Sequence, residues 1–355
     1  MNTLTEGHTF RRRGIISDTA PESNLMETGH GNLPELKSGD IVFVPGATWN
    51  LQYYLDFLES NSKNGVRIYQ LIHDLIPLVV PEHIGDDVPE QFAQWLHQMS
   101  DMVAGFIANS NATKADLLRF FETFEREPKP CIVVPLAQEF VRSVPPIDCE
   151  RKPIFLSAEK NSTRRIHARV YNAARLPYVL CVGTIESRKN VWTLARIWLS
   201  IVEELGGDAP RLVFAGRHGI LKEDFDQLIQ GSGSANGSIV IVERPDDHEL
   251  EYLYKNCLFS VFISYYEGWG LPIGESLSFG KAVVASNTSS MREVGGEFAD
   301  YVDPADFHDI RAKIMRLITD TQYRWERNCQ IAGMPLRSWN DVTDDLCSHL
   351  QLIKR

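Results

Sequence analysis

The sequence lacks three features that would each point to a particular class of protein. No apolar run approaches the 18 residues of a membrane-spanning helix. None of the six cysteines forms a CxxC pair, so a zinc knuckle is not expected. Positive charge is also not in excess: the formal net charge is −11, which argues against broad nucleic-acid binding.

The cysteines and the first residues indicate a cytoplasmic protein. Cys131 and Cys181 lie inside apolar, strand-like runs, which predicts buried and reduced thiols. The opening residues, MNTLTEGHTFRRRG, contain no apolar segment after the arginines. We therefore expect no secretory signal there.

The 355 residues suffice for two domains. Residues 1–38 are polar and without periodicity, so we expect loose structure there. In residues 39–150, short β-branched runs such as DIVFVPG and VRIYQLIHD alternate with helical patterns such as VPEQFAQWLHQMSDM and NATKADLLRFFETF. This alternation predicts an α/β domain with buried parallel strands.

The second half of the chain repeats the α/β pattern. Residues 151–177 are rich in proline and arginine and are predicted to be a linker. Residues 178–335 hold five apolar runs separated by helical patterns, which predicts a doubly wound domain. Asp246 and Glu249 have the spacing of a capping box. Residues 336–355 are predicted to form a last amphipathic helix.

Two glutamates flank a glycine-rich turn in SYYEGWGLPIGESLSFGKAVVAS, which we interpret as strand, loop, helix and strand. Ligands of such folds bind beyond the carboxyl ends of the strands, and a helix N-terminus there suits a phosphate. Carboxylates beside a phosphate accept hydrogen bonds from hydroxyl groups instead. Glu267, on the loop, would face a sugar, and Glu275, in the first helical turn, a ribose. Alternatively, both are exposed carboxylates that favour a helix N-terminus.

A second loop at the same edge, VGTIESRKN, follows a strand and precedes a helix. Its adjacent cations, Arg188 and Lys189, could neutralise a diphosphate. A solvated basic pair is the alternative, although cations at a helix N-terminus are unfavourable.

Four other positions leave alternatives open. His73 ends a strand in the first domain, where it is either structural or a cleft residue that exchanges protons, and Asp74 either orients it or caps the turn. Arg217 follows a strand in AGRHG and is a candidate for the phosphate region. Trp269 either stacks on a ligand or fills the core. The DFD at 224–226 is interpreted as a solvated helix face rather than a metal site.

Together these motifs resemble the retaining glycosyltransferases of family 4, which have the GT-B fold. EGWGLPIGE, followed by FGKAVVAS, looks like the E-x7-E signature of that family. VGTIESRKN is similar to its diphosphate loop, in a variant with Thr184 where arginine is more usual. IHDLIP, ANSNATKADL and YVDPAD match further landmarks, so the resemblance covers roughly residues 40–350.

The resemblance implies two Rossmann-like doubly wound domains that face a cleft, with the C-terminal helix crossing back onto the first domain. A nucleotide-sugar would bind mainly in the second domain, with no cofactor and no metal. His73 and Glu267 would be the catalytic residues, His73 reaching the donor sugar from the opposing domain. The donor-binding residues would be Gly183, Arg188, Lys189, Arg217, Gly268, Trp269, Gly270, Leu271 and Glu275.

The resemblance is strongest to bacterial polysaccharide mannosyltransferases, which implies GDP-mannose as donor and a glycan or lipid-linked glycan as acceptor. Peripheral contact with the inner face of the membrane would follow from a lipid-linked acceptor. Only 72 residues precede His73, so we expect a shortened acceptor domain. A catalytically weak or inactive sugar-nucleotide binder is therefore the main alternative. An epimerase or phosphorylase of the same fold is a third, for which the sequence carries no clear signature.

Overall fold

The computed structural model describes residues 35–49, 51–140 and 166–352. These residues form two parallel β-sheets with helices packed against them. The elements of the first half are β1 Ile41–Val44, α1 Gln52–Lys63, β2 Arg67–Ile72, α2 Ile76–Val79, α3 Val88–Met102, β3 Gly105–Ala108, α4 Asn111–Thr123 and β4 Cys131–Val133. Those of the second half are α5 Ala168–Ala173, β5 Tyr178–Val182, α6 Val191–Leu205, β6 Arg211–Gly216, α7 Glu223–Gly231, α8 Gly233–Gly237, β7 Ile239–Glu243, α9 Asp247–Asn256, β8 Ser260–Phe262, α10 Leu271–Ser278, β9 Val283–Ser286, α11 Met291–Gly295, β10 Asp300–Val302, α12 Phe307–Thr319, α13 Thr321–Ala332 and α14 Trp339–Leu352.

The N-terminal sheet places its four strands in chain order, β1-β2-β3-β4, all parallel. Alternate residues of each strand face opposite sides. On β2, Ile68 and Ile72 pack into the cluster that contains residues of α1, α3 and α4. Tyr69 and Leu71 point to the other side of the sheet. Both faces of this sheet are therefore covered by helices.

The C-terminal helix α14 supplies the cover of that second face. Its Val342 and Leu346 belong to the same buried cluster as Tyr69 and Leu71 of β2. The chain leading to it is anchored by Arg337, whose Nε donates to the carbonyl oxygen of Pro135 at 2.9 Å. The predicted return of the last helix to the first domain is what the structure shows.

The C-terminal sheet has six parallel strands in the order β10-β9-β8-β5-β6-β7. The order reverses between β5 and β8, which are neighbours in the sheet but not in the chain. This doubly wound arrangement opens a crevice at the carboxyl ends of these two strands. The capping box predicted at the start of α9 is present, with Glu249 N donating to Asp246 Oδ1 at 2.9 Å.

Some expectations were incomplete or fall outside the described residues. Helix α1 was not predicted, because tyrosines and polar residues dilute its apolar periodicity. The described residues begin at 35, so most of the loose segment predicted for 1–38 lies outside them. Most of the linker predicted for 151–177 lies outside them too. The boundaries of the domains stay predictions.

Shortening one buried side chain of α14 tests the packing of this helix on the N-terminal sheet. Leu346→Ala is expected to lower the free energy of unfolding by about 2–4 kcal/mol, because a buried leucine is replaced by a cavity. Leu118→Ala, at a 42% exposed position of α4, is the matched control and should change it by less than about 0.5 kcal/mol. Urea denaturation measures both, and equal effects would contradict the packing of α14 on the sheet.

Candidate active site

Two loops meet at the crevice between β5 and β8. The loop after β5 contains the single 3-10 turn Ser187–Lys189. The loop after β8 runs through Glu267 into α10. Because both strands end at the same edge of the sheet, residues that are 78 apart in the chain come into hydrogen-bond contact.

Glu267 is the anion at the centre of this contact. Its Oε1 lies 2.5 Å from Nζ of Lys189 and 2.9 Å from Nη1 of Arg188. Arg188 also pairs with Glu186, at 2.7 Å. The two cations predicted to bind a diphosphate and the carboxylate predicted to face the sugar thus form one cluster. Its two positive and two negative charges balance.

Burial makes this cluster sensitive to charge. Burial alone raises the pKa of Glu267, but Lys189 and Arg188 outweigh it, and the net pKa lies below the usual value. Burial lowers the pKa of Arg188, but Glu267 and Glu186 outweigh it and the net pKa is raised. Both net shifts favour the charged forms. An unpaired charge at this depth would be costly, so each member depends on the others.

The loop after Glu267 lies directly against the N-terminal domain. A Cβ atom on Gly268 would fall 1.9 Å from the backbone oxygen of His73, so only glycine fits at this position. Gly270 has a φ of 98°, in the left-handed region, and directly precedes α10. Pro272 lies in the first turn of that helix, where its missing N–H has no helical partner to lose.

His73 follows β2 and is exposed, with Nε2 2.8 Å from the carbonyl oxygen of Pro45. The neighbouring Asp74 accepts a hydrogen bond from the backbone N–H of Ile76 at 3.0 Å. Burial is the main cause that raises the pKa of Asp74. Of the two alternatives for Asp74, the structure favours the turn cap, while His73 presents its side chain at the strand end.

One statement about Glu275 is wrong. It was placed in the first turn of the helix, but α10 begins at Leu271, so Glu275 is its fifth residue. The error arose because α10 begins at Leu271, one residue before the proline that marks a helix start in the sequence. Glu275 is buried, and its Oε2 accepts a hydrogen bond from the hydroxyl of Tyr254 at 2.8 Å. This bond orients the carboxylate.

The remaining predicted positions differ in their surroundings. Trp269 is 6% exposed, lies in the core cluster and has Nε1 3.3 Å from the carbonyl oxygen of Ala137, which favours the core alternative. Arg217 is exposed beyond β6, and its backbone oxygen accepts from Ile185 N. Gly183 lines the small cavity beside Lys189. Leu271 is the first residue of α10.

Metal binding has no candidate cluster among residues 35–49, 51–140 and 166–352. The DFD segment lies on α7, where Asp226 pairs with Lys222 one turn earlier. This is the solvated helix face that was predicted.

Several residues near the cluster were missed. Glu186 was overlooked although it belongs to the same loop as Arg188. Asp116 of α4 is 5% exposed and accepts a hydrogen bond from the hydroxyl of Tyr266. A signal for Asp116 existed, because it shares the buried stripe of α4 with Leu117 and lies there as a lone carboxylate.

The second half of the chain resembles a known protein family. Residues 163–330 match the family described as Glycosyl transferases group 1. This part of the chain is similar to that family, and the fold is GT-B.

Two curated relatives are both named as mannosyltransferases. The chain is 26% identical over 311 residues to O-antigen chain mannosyltransferase B of Escherichia coli, covering 86% of this chain and 77% of the relative. It is 30% identical over 324 residues to the serotype-specific mannosyltransferase WbdA of the same species, covering 87% of this chain. It spans only 37% of the length of that second relative.

Solved structures share the fold at low sequence identity. Anabaena Alr3699/HepE, solved in complex with UDP and glucose, superposes with a TM-score of 0.62 at 14% identity, covering 88% of this chain and 77% of that one. Sucrose-phosphate synthase of Thermosynechococcus elongatus gives 0.61 at 16% identity, covering 88% and 73%. Within the described part of the chain, no helix has the length and apolarity to cross a membrane.

The charge balance of the cluster can be tested by neutralising Glu267. Glu267→Gln is expected to lower the free energy of unfolding by about 3 kcal/mol at pH 7, because Arg188 and Lys189 then lose their shared anion. The folded pKa of Glu267 is lowered, so its stabilisation is present above its unfolded pKa and is lost as pH falls through the folded pKa. The difference between the two proteins should therefore shrink on acidification.

Urea denaturation across acidic and neutral pH measures this difference. Glu204→Gln, which removes a surface partner of Arg311, is the control and should cost less than about 1 kcal/mol at any pH. A difference for Glu267→Gln that stays constant with pH would show that the carboxylate charge is not responsible.

Proposed function

We propose that this chain is a retaining mannosyltransferase that uses GDP-mannose, does not require a metal and extends a glycan or lipid-linked glycan. One observation carries the proposal: Arg188 and Lys189 converge with Glu267 at the switch point of a group 1 glycosyl transferase domain. The mannose is supported by the names of the relatives, which are mannosyltransferases over most of this chain.

The charges of the cluster suit a diphosphate. Arg188 and Lys189 are charge-assisted donors, and they already lie within 3 Å of a carboxylate oxygen. A diphosphate would replace Glu267 as the main anion at these donors and leave that carboxylate free to accept hydrogen bonds from the sugar. Two fixed cations would supply the positive charge that a metal supplies in other phosphate-transfer sites.

The other donor contacts follow from the position of each group. Glu275 would accept hydrogen bonds from the ribose, since Tyr254 already orients its carboxylate. The backbone of Gly268, Trp269, Gly270 and Leu271 would surround the sugar and phosphates at the start of α10. His73 would approach the sugar from the N-terminal domain, because Gly268 packs against its backbone.

The reaction we propose keeps the configuration of the sugar. The acceptor hydroxyl attacks C1 of mannose from the face of the leaving group, and the bond between C1 and the phosphate oxygen breaks. The departing phosphate oxygen takes the proton of the hydroxyl, so the products are the glycoside and GDP. Arg188 and Lys189 stabilise the negative charge that grows on the phosphate.

The acceptor and the location follow from this proposal. A lipid-linked glycan would bring the enzyme to the cytoplasmic face of a membrane as a peripheral protein. The relatives support a polysaccharide acceptor through their names, which refer to the O-antigen chain and to serotype.

Removal of the cation at position 189 tests the diphosphate site. Lys189→Ala is expected to weaken GDP binding by about 30-fold, because one charge-assisted hydrogen bond to the diphosphate contributes about 2 kcal/mol. Lys255→Ala, which removes an exposed lysine paired with Glu251, should leave affinity unchanged. Isothermal titration calorimetry measures both, and equal affinities would place the diphosphate elsewhere.

The donor is tested by thermal shift with GDP-, UDP-, ADP- and dTDP-sugars. We expect the melting temperature to rise with GDP-mannose, because a ligand that binds only the folded state stabilises it. A shift limited to UDP-sugars would exclude GDP-mannose. A GDP-mannose shift without transfer to any mannose-terminated acceptor would favour the alternative of an inactive sugar-nucleotide binder.

A further inference from the structure

The N-terminal domain contacts the loop just before Glu267. The hydroxyl of Tyr266 donates a hydrogen bond to the carboxylate of Asp116, on helix α4 of the opposite domain. Burial raises the pKa of this carboxyl, while Tyr266 and Arg119 act in the opposite direction. A carboxylate in this buried position has only these two side-chain partners among the described residues.

The residue before Tyr266 is also contacted by the N-terminal domain, through ring stacking. The ring of Tyr265 stacks on that of His83, with centroids 5.1 Å apart and planes inclined by 10°. His83 also lies 2.9 Å, Nδ1 to Oγ, from Ser187. One side chain of the N-terminal domain therefore contacts both loops that form the ionic cluster.

The backbone of Tyr265 and Tyr266 is hydrogen-bonded to Arg188 of the ionic cluster. The carbonyl oxygen of Tyr266 accepts from Nη1 of Arg188 at 2.7 Å, and Tyr265 N donates to the carbonyl oxygen of Arg188 at 2.9 Å. On the other side, Glu267 N donates to Oγ of Ser289 at 3.0 Å. The position of Glu267 thus depends on restraints from both domains.

We propose that Asp116 and His83 are positioning residues that orient Glu267 and Arg188 from the opposite domain. The proposal deepens the function given above and rests on it for its catalytic consequence. Neither side chain is placed to contact the donor; each acts through one of the two tyrosines that precede Glu267. The active arrangement of the carboxylate is consequently complete only while the two domains are in contact.

This arrangement makes a distinctive kinetic prediction. Donor binding depends mainly on groups of the C-terminal domain, whereas the chemical step requires Glu267 in a defined orientation. Loss of the Tyr266 hydrogen bond should therefore lower kcat more than donor affinity. A residue that only stabilised the fold would change neither quantity in the folded fraction of the enzyme.

The test compares Tyr266→Phe, Asp116→Leu and the double variant with the unaltered chain, using GDP-mannose as donor. We expect each to lower kcat about tenfold and to change the dissociation constant of GDP-mannose less than threefold. The double variant should lose no more than the single variants, because both remove the same hydrogen bond. Asp116→Asn keeps an acceptor oxygen and should retain most of the rate.

Tyr323→Phe is the matched control, since it removes a tyrosine–aspartate hydrogen bond, to Asp300 at 3.0 Å, away from the cleft. It should leave kcat and affinity unchanged. Multiplicative losses in the double variant, or a kcat for Tyr266→Phe equal to that of the control, would overturn the proposal.

Hydrogen exchange separates this proposal from the proposed function, because it needs no substrate. Backbone amides of residues 265–269 should exchange about tenfold faster in Tyr266→Phe than in Tyr323→Phe. Unchanged exchange there would overturn the positioning role even in an active enzyme. Faster exchange in a chain that fails to bind GDP-mannose would support the positioning contact and reject only the proposed donor.

Discussion

A buried carboxylate, Glu267, holds two cations together at the point where the order of strands reverses. Arg188 and Lys189 lie close together and largely buried at the crevice between β5 and β8. Buried charges of this kind need an anion close by. In the free chain Glu267 serves as that anion, at 2.5 Å and 2.9 Å. Under the proposed function, a diphosphate would take over this role, and donor binding would release the carboxylate. The same exchange would turn Glu267 toward the sugar.

The contact between domains depends on the same region. Gly268 leaves no space beside the backbone of His73, so the loop that contains Gly268 and the end of β2 pack against each other. A second connection lies nearby, where Glu293 of α11 accepts hydrogen bonds from backbone N–H groups of Asn111 and Ala112 at 2.8 Å and 2.9 Å. This carboxylate satisfies the N-terminus of α4, the helix that carries Asp116. Both contacts therefore join residues of opposite domains.

Much of this could be predicted from local sequence. Apolar runs with β-branched residues mark β1, β2 and β5, because a strand buried on both faces needs them. The loops at the strand ends supplied Arg188, Lys189 and Glu267, because all three belong to short motifs with a definite place in an α/β unit. Distance in the sequence explains what was missed: Asp116 meets Tyr266 across 150 residues, and no local pattern predicts such a pairing. The helix position of Glu275 was misjudged because α10 begins at Leu271, one residue before the proline that marks a helix start in the sequence.

The position of a bound diphosphate decides whether the Glu267 cluster is the donor site. A crystal structure of the chain with GDP measures it directly. We predict Lys189 Nζ and the Arg188 guanidinium at about 3 Å from diphosphate oxygens, with the ribose hydroxyls at Glu275. Bound GDP that leaves both cations paired with Glu267, or that lies outside the crevice between β5 and β8, would contradict this assignment.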